Sequence, residues 1–161
     1  MQIDARKPAL KIARPPKKLG VSVASSEAAA SVLDASALLA HLNEEKGAAV
    51  VRQAMADGAA ISVVNWMEVL SRIAERGEDP ELAAAEMKGA DLIGGVVSVE
   101  AVTEQDSIEI ARLRPLTKEH GLSLADRSCL ALATRLGLPV VTGDRAWQSL
   151  SRVNVPVKLI R

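Results

Sequence analysis

The sequence has no phenylalanine and no tyrosine, and its 161 residues include only two tryptophans. Because hydrophobic residues still make up 48% of the chain, its core must be built mainly from aliphatic side chains. This length suits one domain with a single core. The lack of aromatic rings also leaves few flat surfaces on which nucleobases could stack.

Cysteine is nearly absent as well, since Cys129 is the only one. This excludes an intrachain disulfide and a cysteine-based zinc site, and it fits a reducing compartment. No apolar run reaches the ~18 residues of a membrane helix, and the N-terminus lacks the apolar stretch of a signal peptide. We therefore expect a cytoplasmic protein that does not associate with a membrane.

The formal net charge is zero, but the charges are unevenly spread. Residues 1–30 hold six basic and two acidic side chains, whereas residues 31–161 hold 14 basic and 18 acidic ones. The mildly acidic body is not a general binder of polyanions. Any contact with nucleic acid therefore needs a local basic rim or a bound metal ion.

Residues 1–30 are predicted to form a basic, disordered N-terminal extension. The stretch "ARPPKKLG" combines a Pro-Pro pair, glycine and charge, and "ASSEAAA" has no amphipathic pattern. The extension could be native, artificially added, or the product of a start site placed too far upstream. A basic arm that contacts RNA or a partner is the alternative.

From residue 31 onward, short apolar runs alternate with helical patterns. This alternation predicts an α/β sandwich with a mainly parallel sheet in one domain, residues 31–161. The predicted strands are 31–34, 59–64, 95–102, 138–142 and 155–160, and the predicted helices are 36–42, 45–57, 65–77, 80–90, 104–116, 124–136 and 144–150. Pro115 is expected to limit or bend the helix that contains it.

Four acids fall at the ends of predicted strands or the starts of predicted helices. Asp34 ends the first strand and Asp144 follows the strand 138–142. Glu68 and Asp126 are expected in the first turns of their helices. Because ligands of open α/β sheets bind outside the carboxyl ends of the strands, these acids could share one cleft.

Four carboxylates in one cleft would raise one another's pKa values unless a cation lies between them. Oxygen ligands suit Mg²⁺, for which Mn²⁺ can substitute, and the sequence offers no Cys or His at zinc-binding spacing. A water on such a metal can become a nucleophile toward a phosphodiester.

Each acid also has a purely structural interpretation. Glu68 follows Asn65 by three residues, the spacing of a capping box, and Asp126 has a serine at the same spacing. Asp144 could cap a helix, and Asp34 could accept hydrogen bonds from loop amides. The recurrence of four acids, two of them in apolar surroundings, favours a site.

Three segments resemble the motifs of PIN-domain ribonucleases, above all the VapC toxins of bacterial VapBC toxin–antitoxin pairs. They are "VLDASALLAHL", "ISVVNWMEVLSRI" and "LSLADRSCLALATRLGLPVVTGDRAW", and the resemblance covers about residues 31–160. It implies a PIN-like three-layer α/β/α sandwich and a Mg²⁺-dependent endoribonuclease. It also implies a homodimer and a cognate antitoxin that covers the cleft. The N-terminal extension and the lack of Phe and Tyr depart from the family pattern.

By this resemblance, the four acids match the family's catalytic acids in order. Asp34 and Asp126 are expected to contact the metal directly. Asp144 would complete the site or act through water, and Glu68 would orient a metal-bound water or bind a second ion. Which RNA is cut stays open.

Five further residues are assigned supporting roles. The hydroxyls of Ser36 and Thr142, in the D-x-S and T-x-D patterns, could hold carboxylates. Asn65 could cap the helix that presents Glu68. Arg127 and Arg145 follow two of the acids and could meet RNA phosphates, or else be solvated surface charges.

Other conspicuous residues are interpreted as structural. His41 and His120 lack partner spacing, so surface or cap roles are expected for them. Cys129 is assigned to the core, as are the methionines at positions 55, 67 and 87. Trp66 and Trp147 are assigned to core or interface packing, with the cleft rim as an alternative for Trp147.

Two other functions compete with the nuclease. The first is a PIN fold that has lost activity and only binds a partner, against which the retention of all four acids argues. The second is a phosphotransfer domain with Asp34 as acceptor. Such domains need a second Asp two residues later or a Lys after a later strand, whereas Ser36 occupies the first position and "VVTGDR" has no Lys.

Overall fold

The computed structural model describes residues 29–161. The prediction of a disordered N-terminal extension therefore falls almost entirely outside the described residues. The described part begins its first strand at Ser31, where the sequence pattern changes.

In the described part of the chain, five parallel strands form one sheet in the order β3-β2-β1-β4-β5. This confirms the predicted parallel sheet. The strands are β1 Ser31–Leu33, β2 Ala59–Ser62, β3 Val97–Glu100, β4 Val140–Thr142 and β5 Val157–Leu159. Each is shorter than its apolar run in the sequence, because the run continues into the adjoining loop or helix.

Within residues 29–161, six α-helices connect and cover the strands. They are α1 Ala35–Leu42, α2 Ala48–Ala56, α3 Val63–Glu75, α4 Pro80–Gly89, α5 Glu104–Thr117 and α6 Leu124–Leu136. Two 3₁₀ helices, Lys118–His120 and Arg145–Ser149, complete the list. The second replaces the α-helix predicted for 144–150, and the first was not predicted.

The sheet separates two hydrophobic clusters. Alternate strand residues face opposite layers, so that Leu33 and Ile61 join one cluster while Val32 and Ala60 join the other. Buried residues of α1, α2, α3 and α4 line the first cluster, and those of α5 and α6 line the second. This confirms the three-layer α/β/α sandwich.

The strand order places a topological switch point between β1 and β4. The chain passes outward from β1 through β2 to β3, and then returns to the other side of β1 as β4. Loops that leave β1 and β4 therefore diverge to opposite layers and open a crevice at the carboxyl ends of these strands.

Five of the six α-helices in residues 29–161 differ by one to three residues from their predicted limits, and α6 matches at both ends. The differences in α3 and α5 have a visible local feature. Helix α3 begins at Val63 rather than at residue 65, because the Ser62 side chain caps it by accepting from Asn65 N. Helix α5 continues past Pro115 to Thr117. The hydroxyl of Thr117 donates to the Leu113 carbonyl at 2.8 Å and satisfies an acceptor in this last turn.

Candidate active site

Asp34 lies at the switch point, directly after β1, and is the N-cap of α1. Its backbone N–H donates to the Val141 carbonyl of β4 at 3.2 Å, and its Oδ1 accepts from Ala37 N at 2.8 Å. The residue is only 3% exposed. The helix start thus fixes a buried carboxylate at the centre of the crevice.

Two hydroxyls hold this carboxylate, as predicted for Ser36 and Thr142. Ser36 Oγ lies 2.8 Å from both oxygens of Asp34 and accepts from Gly143 N at 2.9 Å. Thr142 Oγ1 donates to Asp34 Oδ2 at 2.6 Å and accepts from Asp144 N at 3.0 Å. Both hydroxyls therefore tie the end of β1 to the end of β4.

Burial raises the pKa of Asp34 from its ordinary 3.8 to about 6. Hydrogen bonds from Thr142, Ala37 and Ser36 oppose this shift, and the nearby charge of Asp126 adds to it. The net rise shows that the hydrogen bonds do not fully replace the lost hydration of the carboxylate.

Asp126 lies in the first turn of α6, as predicted, and forms a capping box with Ser123. Its Oδ2 accepts from Ser123 N at 2.7 Å, and its own N–H donates to Ser123 Oγ at 3.1 Å. The structure thus confirms that Asp126 takes part in a capping box. This does not exclude a functional role, because a carboxylate has further lone pairs.

Glu68 is in the second turn of α3, not the first, because the helix starts two residues earlier than predicted. Burial raises its pKa, the charge of Asp126 raises it further, and Arg72 lowers it. The charge of Asp126 therefore acts on both Glu68 and Asp34.

Asp144 is exposed and is the N-cap of the 3₁₀ helix Arg145–Ser149. Its Oδ1 accepts from Ala146 N at 2.9 Å. It joins the buried network through its backbone N–H, which donates to Thr142. Its carboxylate therefore lies at the rim of the crevice.

Electrostatics links three of the four predicted acids, with Asp126 raising the pKa of both Asp34 and Glu68. No group of three or more His, Cys, Asp or Glu side chains in residues 29–161 is arranged closely enough to hold a metal ion. Three of the acids therefore repel one another, and the carboxylates of Asp34, Asp126 and Asp144 each accept a backbone hydrogen bond at the start of a helix.

The family model of the PIN domain matches residues 31–153. The chain belongs to the PIN domain family. The comparison with curated protein sequences found no match.

Solved structures share this PIN fold at low sequence identity. The DNA-bound VapBC from Salmonella typhimurium is 19% identical, with 81% of this chain and 98% of that chain covered and a TM-score of 0.61. VapBC2 from Rickettsia felis, bound to a promoter DNA fragment, is 12% identical, with 80% and 97% covered and a TM-score of 0.59. A toxin–antitoxin complex from Klebsiella pneumoniae is 18% identical, with 81% and 98% covered and a TM-score of 0.57.

Asn65 does not cap the helix of this PIN domain, contrary to the prediction. Ser62 is the N-cap, and its hydroxyl donates to Asn65 Oδ1 at 2.6 Å. Asn65 is fully buried within the first turn, and its Nδ2 has no partner among the described residues. The pattern N-x-x-E was misassigned because the true cap lies inside the apolar run.

The two predicted phosphate contacts occupy different settings. The guanidinium of Arg127 donates to the carbonyls of Ile110 at 3.0 Å and Ser123 at 3.3 Å, which ties α6 to α5. Arg145 is exposed at the start of its 3₁₀ helix, next to Asp144. Of these two cations, Arg145 is therefore the one exposed beside the rim acid Asp144.

For the other residues, some predictions are confirmed and others are wrong. Cys129 is buried in the core, as predicted, and burial followed by the charges of Asp34 and Asp126 raises the pKa of its thiol. Trp147 is also buried, and so are Trp66, Met55 and Met87. Two predictions are wrong: His41 is fully buried in α1 rather than at the surface, and Met67 is 52% exposed.

Sequence reasoning missed Arg72, Arg76 and Arg161, which line a cavity beside Ser36. Arg72 follows Glu68 by four residues, a helical neighbour spacing that could have pointed to it. Arg161 follows β5, so its position at a carboxyl strand end was available from the sheet rule.

No helix formed by residues 29–161 combines the length and the apolar composition needed to span a membrane.

Proposed function

We propose that this PIN domain is a metal-dependent endoribonuclease of the VapC type, the toxin of a toxin–antitoxin pair. The observation that carries the proposal is the buried Asp34 carboxylate at the switch point, whose pKa is raised to about 6 and whose charge is coupled to that of Asp126. Burial, to which the charge of Asp126 adds, disfavours the ionised form of this carboxylate, so we infer that the arrangement serves a bound cation.

The residues fit a hard divalent cation, Mg²⁺ with Mn²⁺ as a substitute. Asp34 and Asp126 would hold it, and their ligand atoms are carboxylate oxygens only. Mg²⁺ commonly takes one or two protein carboxylates and keeps several waters, so a group of three converging side chains is not required. Glu68, whose pKa is raised by burial and by the charge of Asp126, would bind through one of these waters.

The protein groups would divide the work. Ser36 and Thr142 hold Asp34 in one orientation, so that its charge is fixed before RNA binds. Glu68 would accept a hydrogen bond from the attacking water and so orient it. Asp144, at the rim, completes the site or acts through water. A bound Mg²⁺ would lower the pKa of water and offset charge on the phosphodiester.

Toxin–antitoxin complexes with the same fold support the assignment of partners. We propose that a cognate antitoxin covers the crevice, that the chain forms a homodimer, and that it acts in the cytoplasm. Inducible expression in a bacterium tests the toxin role. Growth arrest that disappears with Asp34→Asn is expected, and equal growth of both strains would contradict it.

One observation favours the inactive binding module as a second candidate. The carboxylates of Asp126 and Asp144 accept hydrogen bonds at helix ends, and residues 29–161 contain no preformed group of three metal ligands. The module would bind its partner without a metal.

Calorimetric titration with Mn²⁺ separates the two candidates. The nuclease predicts binding that Asp34→Asn and Asp126→Asn each weaken by at least about tenfold, the lower range for altered ligand shells. Glu109→Gln, which removes a carboxylate from α5, is the control and should bind normally. Absence of Mn²⁺ binding by the unaltered chain would exclude the metal-dependent nuclease and leave the binding module.

A further inference from the structure

A cavity of about 430 Å³ adjoins the acidic crevice, and three arginines line it. Arg72 and Arg76 come from the C-terminal half of α3 and its end, and Arg161 follows β5. Ser36, which also holds Asp34, lines the same cavity. Ser36 therefore links the wall of the cavity to the proposed catalytic carboxylate.

Arg161 reaches the strand end that carries Thr142. Its Nη2 lies 3.6 Å from the point where a Cβ on Gly143 would stand. The N–H of Gly143 donates to Ser36 Oγ at 2.9 Å. The Arg161 guanidinium thus lies beside Gly143, which follows Thr142 in the chain and donates to Ser36.

The charges in this cavity are only partly balanced. Arg161 pairs with Glu45 at 2.7 Å, and Arg72 pairs with Glu75 at 2.9 Å. Arg76 instead donates to Asn43 Oδ1 at 2.6 Å, a neutral oxygen that orients the guanidinium without cancelling its charge. The cavity therefore keeps a net positive charge next to a cluster of carboxylates.

We propose that Arg76 and Arg161 form a phosphate-binding subsite for the RNA strand, one or more nucleotides away from the phosphate that is cut. The proposal rests on the proposed nuclease function. Guanidinium groups bind phosphate oxygens in a fork geometry, and cations beside the acidic crevice offset its repulsion of the RNA backbone. Glu45 holds Arg161 in the free protein, and a phosphate would compete with it for the same donors.

The test is binding of a fluorescein-labelled pool of single-stranded RNA oligonucleotides to the full chain in EDTA, followed by fluorescence anisotropy at several salt concentrations. Arg76→Gln and Arg161→Gln should each weaken binding about 3- to 10-fold at low salt. Each should also reduce the slope of log K against log salt by about 0.7, the value for one phosphate contact on a single strand.

Two controls are built from the same structure. Glu45→Gln breaks the ion pair with Arg161 but leaves the guanidinium in place, so it should bind RNA as tightly as the unaltered chain or more tightly. Arg112→Gln removes an exposed cation from α5, on the opposite layer, and should change neither affinity nor slope.

The proposal is overturned if Arg76→Gln and Arg161→Gln bind with unchanged affinity and slope, or if Glu45→Gln weakens binding as much as Arg161→Gln does. Absence of RNA binding by the unaltered chain would overturn it as well. Cleavage in Mg²⁺ is measured separately. Cleavage by the unaltered chain together with unchanged RNA binding by the arginine variants rejects the subsite alone. Weakened RNA binding by the arginine variants, with neither cleavage nor Mn²⁺ binding by the unaltered chain, rejects the nuclease and leaves an RNA-binding site without a catalytic role.

Discussion

The hydroxyl of Thr142 donates a 2.6 Å hydrogen bond to Asp34 Oδ2 although the two residues are 108 positions apart in the chain. The same hydroxyl accepts from Asp144 N. Thr142 therefore connects the buried acid of the site with the rim acid, and both ends of this connection lie at the switch point between β1 and β4.

Replacement of this hydroxyl should disturb the charged form of Asp34. Thr142→Val keeps the shape but removes the donor, and we expect a loss of about 1–3 kcal/mol in the free energy of unfolding at pH 7. The loss should be smaller at pH 4, because the hydrogen bond chiefly stabilises the ionised carboxylate. Urea unfolding at both pH values measures it.

Thr142→Ser is the matched control, since it keeps the hydroxyl and loses only a methyl group. It should retain the pH dependence of the unaltered protein. An equal loss at pH 4 and pH 7 for Thr142→Val would mean that the hydroxyl supports packing rather than the carboxylate.

The metal-free protein should become less stable relative to Asp34→Asn as the pH rises. The pKa of Asp34 is raised to about 6 in the folded state, above its ordinary 3.8. Its contribution to stability is therefore complete below pH 3.8 and lost as the pH rises through about 6, a change of about 3 kcal/mol. Asparagine does not titrate, so the variant should be the more stable protein in EDTA at pH 7.

Urea unfolding in EDTA from pH 4 to pH 7.5 measures the difference between the two proteins. A difference that stays constant over this range would contradict the burial of an ionised carboxylate. Cleavage of RNA should be lost in the same variant.

Asp126 has a cap role and a proposed metal role, and two substitutions separate them. Asp126→Asn keeps an oxygen for the Ser123 N–H and should cost little stability while abolishing cleavage. Ser123→Ala keeps the carboxylate but removes the acceptor for Asp126 N, and should cost about 1 kcal/mol. Cleavage assays and urea unfolding of both variants test this, and full activity of Asp126→Asn would exclude its metal role.

Capping residues next to a helix allowed the limits of one helix to be predicted to the residue from the sequence. Helix α6 was predicted at 124–136 and is observed there, because Ser123 caps one end and Gly137 ends the other with a positive φ of 67°. Ser123 and Gly137 directly flank the helix, so its limits can be predicted without knowledge of long-range contacts.

Other limits depend on contacts that the sequence does not display. The strand β2 and the helix α3 share one apolar run, and only the Ser62 side chain marks where one becomes the other. The burial of His41 depends on how α1 packs on the sheet. The arginine cavity arises from α1, α3 and the last residue, which no single periodic pattern connects.

The positions of two candidate acids could be predicted from the sequence, but the orientation of their side chains could not. The sheet rule placed Asp34 and Asp144 at one edge, and the structure agrees. The orientation of the Asp34 carboxylate depends on hydrogen bonds from residues far along the chain, such as Thr142.

His41 should make the protein sensitive to acid. It is buried, neither ring nitrogen has a partner among the described residues, and burial followed by the charge of Arg52 lowers its pKa, with Glu44 opposing. A lowered folded-state pKa means that stability is complete above about pH 6.5 and is lost as the pH falls below it.

The variant His41→Leu should remove this loss, so its stability relative to the unaltered chain should rise between pH 7.5 and pH 5. Imperfect packing of the leucine would change the free energy of unfolding by the same amount at every pH, so it does not alter this trend. His120→Gln removes the other histidine and should leave the trend in place. The same trend in His41→Leu and the unaltered chain would contradict the account of His41.

Cleavage of total bacterial RNA by the purified chain tests the central claim most directly. The reactions contain Mg²⁺, Mn²⁺ or EDTA, with Asp34→Asn alongside, and the fragment ends are sequenced. The account predicts discrete fragments that need the metal and are absent with Asp34→Asn. Fragments of equal yield in EDTA or with Asp34→Asn would contradict it, and so would intact RNA in every reaction together with absence of Mn²⁺ binding.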